Sequence, residues 1–367
     1  MIINFFNTFI DKSVLKKVSL IFKSTFISEG ELVKEFEYQL TKKLGIVNPI
    51  AVNSGTSALH LALDLAGVTK DDEVICPPQT FVASALAILY QRAKPIFTDI
   101  QYETGNIDPR KIEEKITKKT KAIMVVHWGG YPCDMDEIFI IAKKHKLIVI
   151  EDAAHALGAT YKSKQIGSIS PFTCFSFQAI KHVTTGDGGA TCCLDSETAR
   201  RGFAKRWFGI DRANSKSSIL GERQYDISEI GYKYHLNDYG AALGIANLAN
   251  FKTRLQKRRK IAQLYDKHLS NVPGIKLFQY KKDRQSSYWL YGLHVEKREN
   301  FIKALRSRGI PTSVVHQRID HNSIFGEITK ELINQELFDK TQIHIPIHDG
   351  LSDTNITYII NSINKGW

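Results

Sequence analysis

A chain of 367 residues, 43% hydrophobic and 24% charged, has the composition of a globular protein with room for one large domain and a smaller one. No run reaches the roughly 18 apolar residues of a membrane-spanning helix, so the sequence argues against a membrane protein. The formal net charge of +12 admits nucleic acid, an anionic surface or anionic small molecules as partners, but no zinc-ligand spacing or aromatic platform supports nucleic-acid recognition.

Residues 1–27 begin with an apolar stretch that Asp11, Lys12, Lys16 and Lys17 interrupt without a cleavage-like end, which predicts an ordered arm and not a signal peptide. Ser28-Glu-Gly-Glu31 has capping-box spacing. It precedes Leu32, Phe36, Leu40 and Leu44, one stripe of an amphipathic helix ending near Gly45. In Ser54-Gly-Thr56-Ser57, small and hydroxylated residues open a helix whose apolar positions are Leu59, Leu61, Leu63 and Ala66. Free N–H groups and hydroxyls at a helix start make an anion site, although the same four residues also suit a plain N-cap. Residues 73–76 read as a strand stopped by Pro77 and Pro78, and Gln79-Thr-Phe81 leads into a helix over 82–90. Strands over 95–100 and 121–127 alternate with helices over 111–116 and 136–146. From about residue 50 to 194 this alternation predicts a mostly parallel sheet covered on both faces. His127, at a strand end, reads as a structural hydrogen-bonding group.

The run Leu147-Ile-Val-Ile-Glu-Asp152 is a buried-type strand ending in two acids, followed by His155. An aspartate at the carboxyl end of a parallel strand lies where α/β sheets present ligands, and can hold a pyridinium N–H. Residues 172–177 alternate as a strand and end in a turn that carries Lys181 and runs through Gly186, Gly188 and Gly189 to a second strand over 190–194. A lysine on a turn is commonly a surface group. Held near the interior, its amine is desolvated and becomes the neutral nucleophile that Schiff-base chemistry requires. Phosphate seat, ring carboxylate and lysine, in that chain order, describe a pyridoxal phosphate pocket.

The texture over 200–229 is polar and basic, with 214–218 suited to a mobile loop that reaches a neighbouring subunit. A small-residue helix follows over 239–248. Lys252, Arg254, Lys257, Arg258, Arg259 and Lys260 then form the densest basic cluster, predicted to be a solvated helix face. A strand over 287–295 and helices over 298–308 and 356–364 complete a small α/β domain. Cys76, Cys133, Cys174, Cys192 and Cys193 are odd in number without a CxxC pair, as expected of buried reduced thiols in a cytosol.

The chain resembles the sugar aminotransferases of the DegT/StrS group. The segments that carry the likeness are Ser54-Gly-Thr-Ser-Ala-Leu-His60, Pro78-Gln-Thr-Phe-Val-Ala83, Glu151-Asp-Ala-Ala-His155, Phe175-Ser-Phe-Gln-Ala-Ile-Lys181 through Gly189, and Gly231-Tyr-Lys-Tyr-His-Leu-Asn-Asp238. The resemblance implies the α/β, fold-type-I architecture of pyridoxal 5'-phosphate (PLP) aminotransferases. Residues 1–27 would be an arm, 28–250 the large cofactor domain with its mostly parallel sheet, and 251–367 the small domain.

It also implies roles. Lys181 would bond the cofactor and move the proton; Asp152 would pair with the ring nitrogen; Thr56, Ser57 and Ser176 would bind the phosphate. Phe81 would cover a ring face and His155 would reach the ring's phenolic oxygen. In Tyr234-His-Leu-Asn237 the sequence departs from the family's usual segment, so His235 or Asn237 would reach the phosphate of a second subunit, with His235 preferred. His316 stands where relatives approach substrate, and also suits a surface position. The implied reaction moves an amino group from L-glutamate to a keto-deoxy sugar on a nucleotide, at C4 or C3 with C4 favoured by the Gly231-Tyr-Lys-Tyr segment, in a cytoplasmic homodimer. A dehydratase or lyase of the same fold, and a non-catalytic relative, are the alternatives; Lys181 argues against the histidine-type dehydratase.

Overall fold

The structure, a computed structural model, describes residues 2–212 and 214–367. Seven strands lie in the order Pro49–Val52, Gly189–Cys193, Phe172–Ser176, Ile148–Asp152, Thr120–Val126, Glu73–Cys76, Lys94–Phe97. Within this sheet only Gly189–Cys193 runs antiparallel to its neighbours; the other pairs are parallel. Alternate residues of Thr120–Val126 enter separate cores: Ile123 and Val125 pack with Phe36 and Phe175, Ala122 and Met124 with Leu59 and Ile88. The two-residue strand period thus places apolar side chains on both faces. This is the predicted mostly parallel sheet with helices on both sides.

A second, antiparallel sheet joins Ile275–Leu277, Tyr291–Val295 and Gln342–Ile345. Its core, around Tyr265, Phe301 and Ile359, draws on the helices Phe251–Leu269, Arg298–Ser307 and Asp353–Asn364 and also takes in Ile3. All five cysteines are buried and unpaired, and no helix among the described residues is long and apolar enough to cross a membrane.

Three local expectations are corrected. The helix Glu31–Leu44 is not opened by a capping box at Ser28: its N-cap is Gly30, without a side-chain cap of its own. The Asp238 carboxylate accepts instead from the Gly30 and Val33 N–H groups at 2.9 and 3.1 Å. A distant acid thus satisfies the donors a local cap would have taken. The basic cluster on Phe251–Leu269 is not a wholly solvated face. Arg258 is 4% exposed, donates to the carbonyl of Ile347 at 3.0 Å and pairs with Asp349. Arg259 donates to the carbonyls of Ser286 and Gly158; Lys252 and Lys260 remain exposed. A guanidinium carries enough donors to satisfy several buried carbonyls, which explains why arginines point inward here. Finally, the polar stretch from Arg200 is helical as far as Lys205, and its loop portion forms a short hairpin of Lys216–Ser217 with Arg223–Gln224.

Candidate active site

The carboxyl ends of the parallel strands meet at a cavity of about 370 Å³, to which Val126, Asp152 and Ser176 contribute. Such crevices are where open α/β sheets hold ligands. One wall is the start of the helix Gly55–Leu65. Ser54 is extended, and its hydroxyl accepts from the Ser57 N–H at 3.0 Å, so the chain turns into the helix with its remaining N–H groups facing outward. Gly189 passes close behind: a Cβ there would lie 2.5 Å from the Ser54 carbonyl oxygen.

Lys181 sits on the turn between Phe172–Ser176 and Gly189–Cys193, which Phe177 and Thr185 close by donating to the carbonyls of Gly188 and Phe177. The side chain as a whole is half-buried because it faces the cavity. Burial lowers the amine's pKa to about 7, with the Asp152 charge pulling the other way. Asp152 is 6% exposed. Its carboxylate accepts from the Ser84 hydroxyl at 2.7 Å and from the Ala154 N–H at 3.1 Å. Burial raises its pKa; those two bonds and the Lys181 charge oppose the rise.

His155 stacks on Trp289 with ring centres 3.8 Å apart. Burial, and next the positive charge of Lys181, hold its pKa well below the ordinary value, so the ring is neutral. Its Nδ1 is buried without a partner. His316, driven down to about 4 mainly by burial, lies 5.2 Å from Phe81, ring centre to ring centre. Both line the cavity, as does Thr56.

Ser57, expected at the phosphate, does not line the cavity, and His235, expected to reach the phosphate of a second subunit, lies away from it. The Ser57 hydroxyl donates to Asn53 Oδ1 at 2.7 Å and bonds to Ser54 at 2.9 Å, so its one proton is committed to bracing the helix start. His235 lies edge-on to Trp207 at 4.3 Å, its main chain bridged to Val52. Asn237 is committed elsewhere: its side chain accepts from the Gly240 N–H and caps the helix Asp238–Leu248. His127 has the structural role expected of it. Its Nδ1 accepts from the Cys133 N–H, which places the ring proton on Nε2, 2.5 Å from Glu151.

Ser84 and Trp289 belong to the site but carry no signal in the sequence. Ser84 lies in an ordinary helix 68 residues before Asp152, and Trp289 approaches Lys181 from 109 residues beyond Ile180, to which its indole N–H is bonded.

The donor set fits a phosphorylated pyridine. A buried carboxylate can hold a ring N–H, a helix start with hydroxyls offers an anion seat, and an unpartnered imidazole nitrogen awaits a polar group. The amine that could bond to it lies on the same cavity.

Comparison with known proteins agrees. The family model described as the DegT/DnrJ/EryC1/StrS aminotransferase family matches residues 8–364. GDP-perosamine synthase of Escherichia coli O157:H7 is 34% identical over 93% of this chain and 92% of its own length. UDP-4-amino-4,6-dideoxy-N-acetyl-beta-L-altrosamine transaminase of Campylobacter jejuni (strain 81-176) is 33% identical over 98% of this chain and 97% of its own. The crystal structure of a sugar aminotransferase from Micromonospora echinospora superposes with a TM-score of 0.95 at 32% identity, covering 100% of both chains.

Proposed function

The chain belongs to the DegT/DnrJ/EryC1/StrS aminotransferase family, and from that premise we propose that it carries an amino group from L-glutamate to C4 of a nucleotide-linked 4-keto-6-deoxyhexose. It is a sugar aminotransferase of the kind that acts on nucleotide sugars, and aminotransferases of this family use pyridoxal phosphate. The observation that carries the residue-level reading is Lys181, an amine with pKa lowered to about 7, on one cavity with the buried carboxylate of Asp152. The choice of C4 is supported by the Campylobacter relative, whose name places an amino group there.

When bound, pyridoxal phosphate supplies an electron sink for the carbon that loses its proton. Lys181, neutral in part near neutral pH, would hold the cofactor through its amine, and when that amine is free it would accept and return the proton of the amino donor. Asp152, fixed in direction by Ser84 and the Ala154 N–H, would hold the ring nitrogen in its protonated form. Thr56, Ser176 and the N–H groups of the helix start would seat the phosphate, with Ser57 holding that start in shape. Phe81 would lie over one ring face, and the free Nδ1 of His155 would meet the ring oxygen.

His316, at the cavity beside Phe81, would contact the sugar. In a cytoplasmic homodimer with shared sites, His235 would reach the phosphate bound by the second subunit. Its buried, unpartnered Nδ1 and the capping duty of Asn237 favour His235 over Asn237. The division into an arm over 1–27, a cofactor domain over 28–250 and a small domain over 251–367 belongs to the same proposal.

Borohydride reduction of the purified holoprotein, followed by peptide mass spectrometry, tests the reading. The cofactor should be found on Lys181. In a separate, unreduced sample, glutamate should yield pyridoxamine phosphate, and a nucleotide-linked 4-keto-6-deoxyhexose should gain an amino group. Attachment at another lysine, or product aminated at C3, would overturn the corresponding part.

A further inference from the structure

The turn that carries Lys181 is held at three alternate carbonyls by side chains from far along the chain. The Trp289 indole N–H donates to Ile180 at 3.0 Å. Arg254 donates to His182 at 2.9 Å. Asn247 Nδ2 donates to Thr184 at 3.0 Å. Each of these three side chains is in turn backed by the N-terminal segment. Phe6 stacks on Trp289 with ring centres 5.3 Å apart and planes at 22°. Phe9 lies 4.0 Å from the Arg254 guanidinium, ring centre to carbon. The Asp11 N–H donates to Asn247 Oδ1 at 2.9 Å.

The segment is anchored at its other end as well. The Asn4 carbonyl accepts from His348 Nε2 at 3.0 Å, and Ile3 is buried in the core of the three-stranded sheet. Residues 3–11 therefore run from that core to the helix Asp238–Leu248, passing behind the lysine turn.

We propose that residues 3–11 are a strap that sets the position of Lys181, with Phe6, Phe9 and Asp11 each backing one of the three side chains that grip its turn. The physical need is plain. A turn between two strands has no ladder to fix it, and ordering it costs conformational entropy at every residue. Three hydrogen bonds to alternate carbonyls fix the turn only if their donors are themselves immobile. Aromatic rings supply that immobility by stacking on an indole and lying against a guanidinium. Phe6 and Phe9 are thus positioning residues acting through Trp289 and Arg254. The catalytic half of this proposal rests on Lys181 being the reacting amine.

The test compares the full-length wild type with the double variant Phe6→Ala/Phe9→Ala and the ring-retaining Phe6→Tyr/Phe9→Tyr, with and without cofactor. Amide hydrogen exchange of residues 178–186 should become roughly 10-fold faster in the alanine variant, while the central sheet keeps its protection. Its kcat should fall roughly 10- to 100-fold with KM for the sugar little changed, because a displaced reacting group loses rate without losing substrate contacts. The tyrosine variant should restore both. Should the alanine variant not fold, Phe6→Leu/Phe9→Leu keeps the apolar bulk without the rings and should show the same two effects. Wild-type exchange over 178–186 in a variant whose Asp11 amide has lost protection would overturn the strap. Faster exchange with unchanged kcat would overturn its bearing on Lys181. Exchange reads the strap whatever the lysine does, and borohydride reduction of the wild type reads the lysine whatever the strap does.

Discussion

The Ser84 hydroxyl donates a 2.7 Å hydrogen bond to Asp152, drawing back toward its ionised form a carboxylate that burial pushes toward the neutral acid. Ser84→Ala removes that bond, so the Asp152 pKa should rise further. The acid limb of the pH–rate profile should move to higher pH. A hydrogen bond to a charged group contributes about 1.5 kcal/mol or more, so kcat/KM at neutral pH should fall about 10-fold. An unmoved acid limb would detach Ser84 from Asp152.

Lys181 should leave a signature in stability as well as in rate. Its pKa is about 7 in the folded protein against an ordinary 10.5, burial being the main cause. Between these values the unfolded chain holds a proton that the folded chain does not. The group's contribution to stability therefore grows as pH rises from about 7 toward 10.5, and is lost as pH falls through about 7. Lys181→Met should be more stable than the cofactor-free wild type at about pH 6, with the gap narrowing by about pH 9. Urea unfolding at the two pH values checks it; a gap that does not change with pH would mean the amine keeps its ordinary pKa.

Gly189→Ala should injure the site more than the fold. The added carbon would meet backbone, 2.5 Å from the Ser54 oxygen and 2.8 Å from the Gly55 nitrogen, with no flexible side chain to yield. The helix start must shift, and overpacking of this kind costs about 1–3 kcal/mol. Cofactor affinity, measured by titrating the cofactor-free protein, should fall by at least about 10-fold.

Arg258 and Lys252 share a helix and should behave oppositely. Arg258→Met takes from the Ile347 carbonyl its buried donor and leaves the Asp349 carboxylate with Arg254 alone, at 3.6 Å, which should cost about 3 kcal/mol in denaturant unfolding. Lys252→Glu, on the exposed side, should stay within about 0.5 kcal/mol. Equal effects would restore the view of this helix as a uniform basic face.

The sheet and most of the cavity are written in short-range patterns. Strand alternation shows which residues enter the two cores, and the hydroxylated start at Ser54, the acid ending at Asp152 and the glycine-rich turn after Lys181 each mark a strand or helix end. In a parallel sheet those ends gather on one edge, so local motifs suffice to bring Thr56, Phe81, Asp152, His155, Ser176 and Lys181 to a common cavity. What the sequence by itself determines is therefore the layering and the chemistry at each strand end.

Which polar group answers which was decided only by tertiary structure. Asp238 caps a helix that Ser28 was placed to cap, Arg258 is buried where its neighbours Lys252 and Lys260 are exposed, and Trp289, Ser84 and the N-terminal phenylalanines converge on one turn and one carboxylate. Hydrophobic periodicity records which face leaves water, a property summed over many residues. A hydrogen bond is satisfied within about 3 Å and a narrow angle, so its partner is set by how distant segments pack, and residue spacing along the chain carries no record of that.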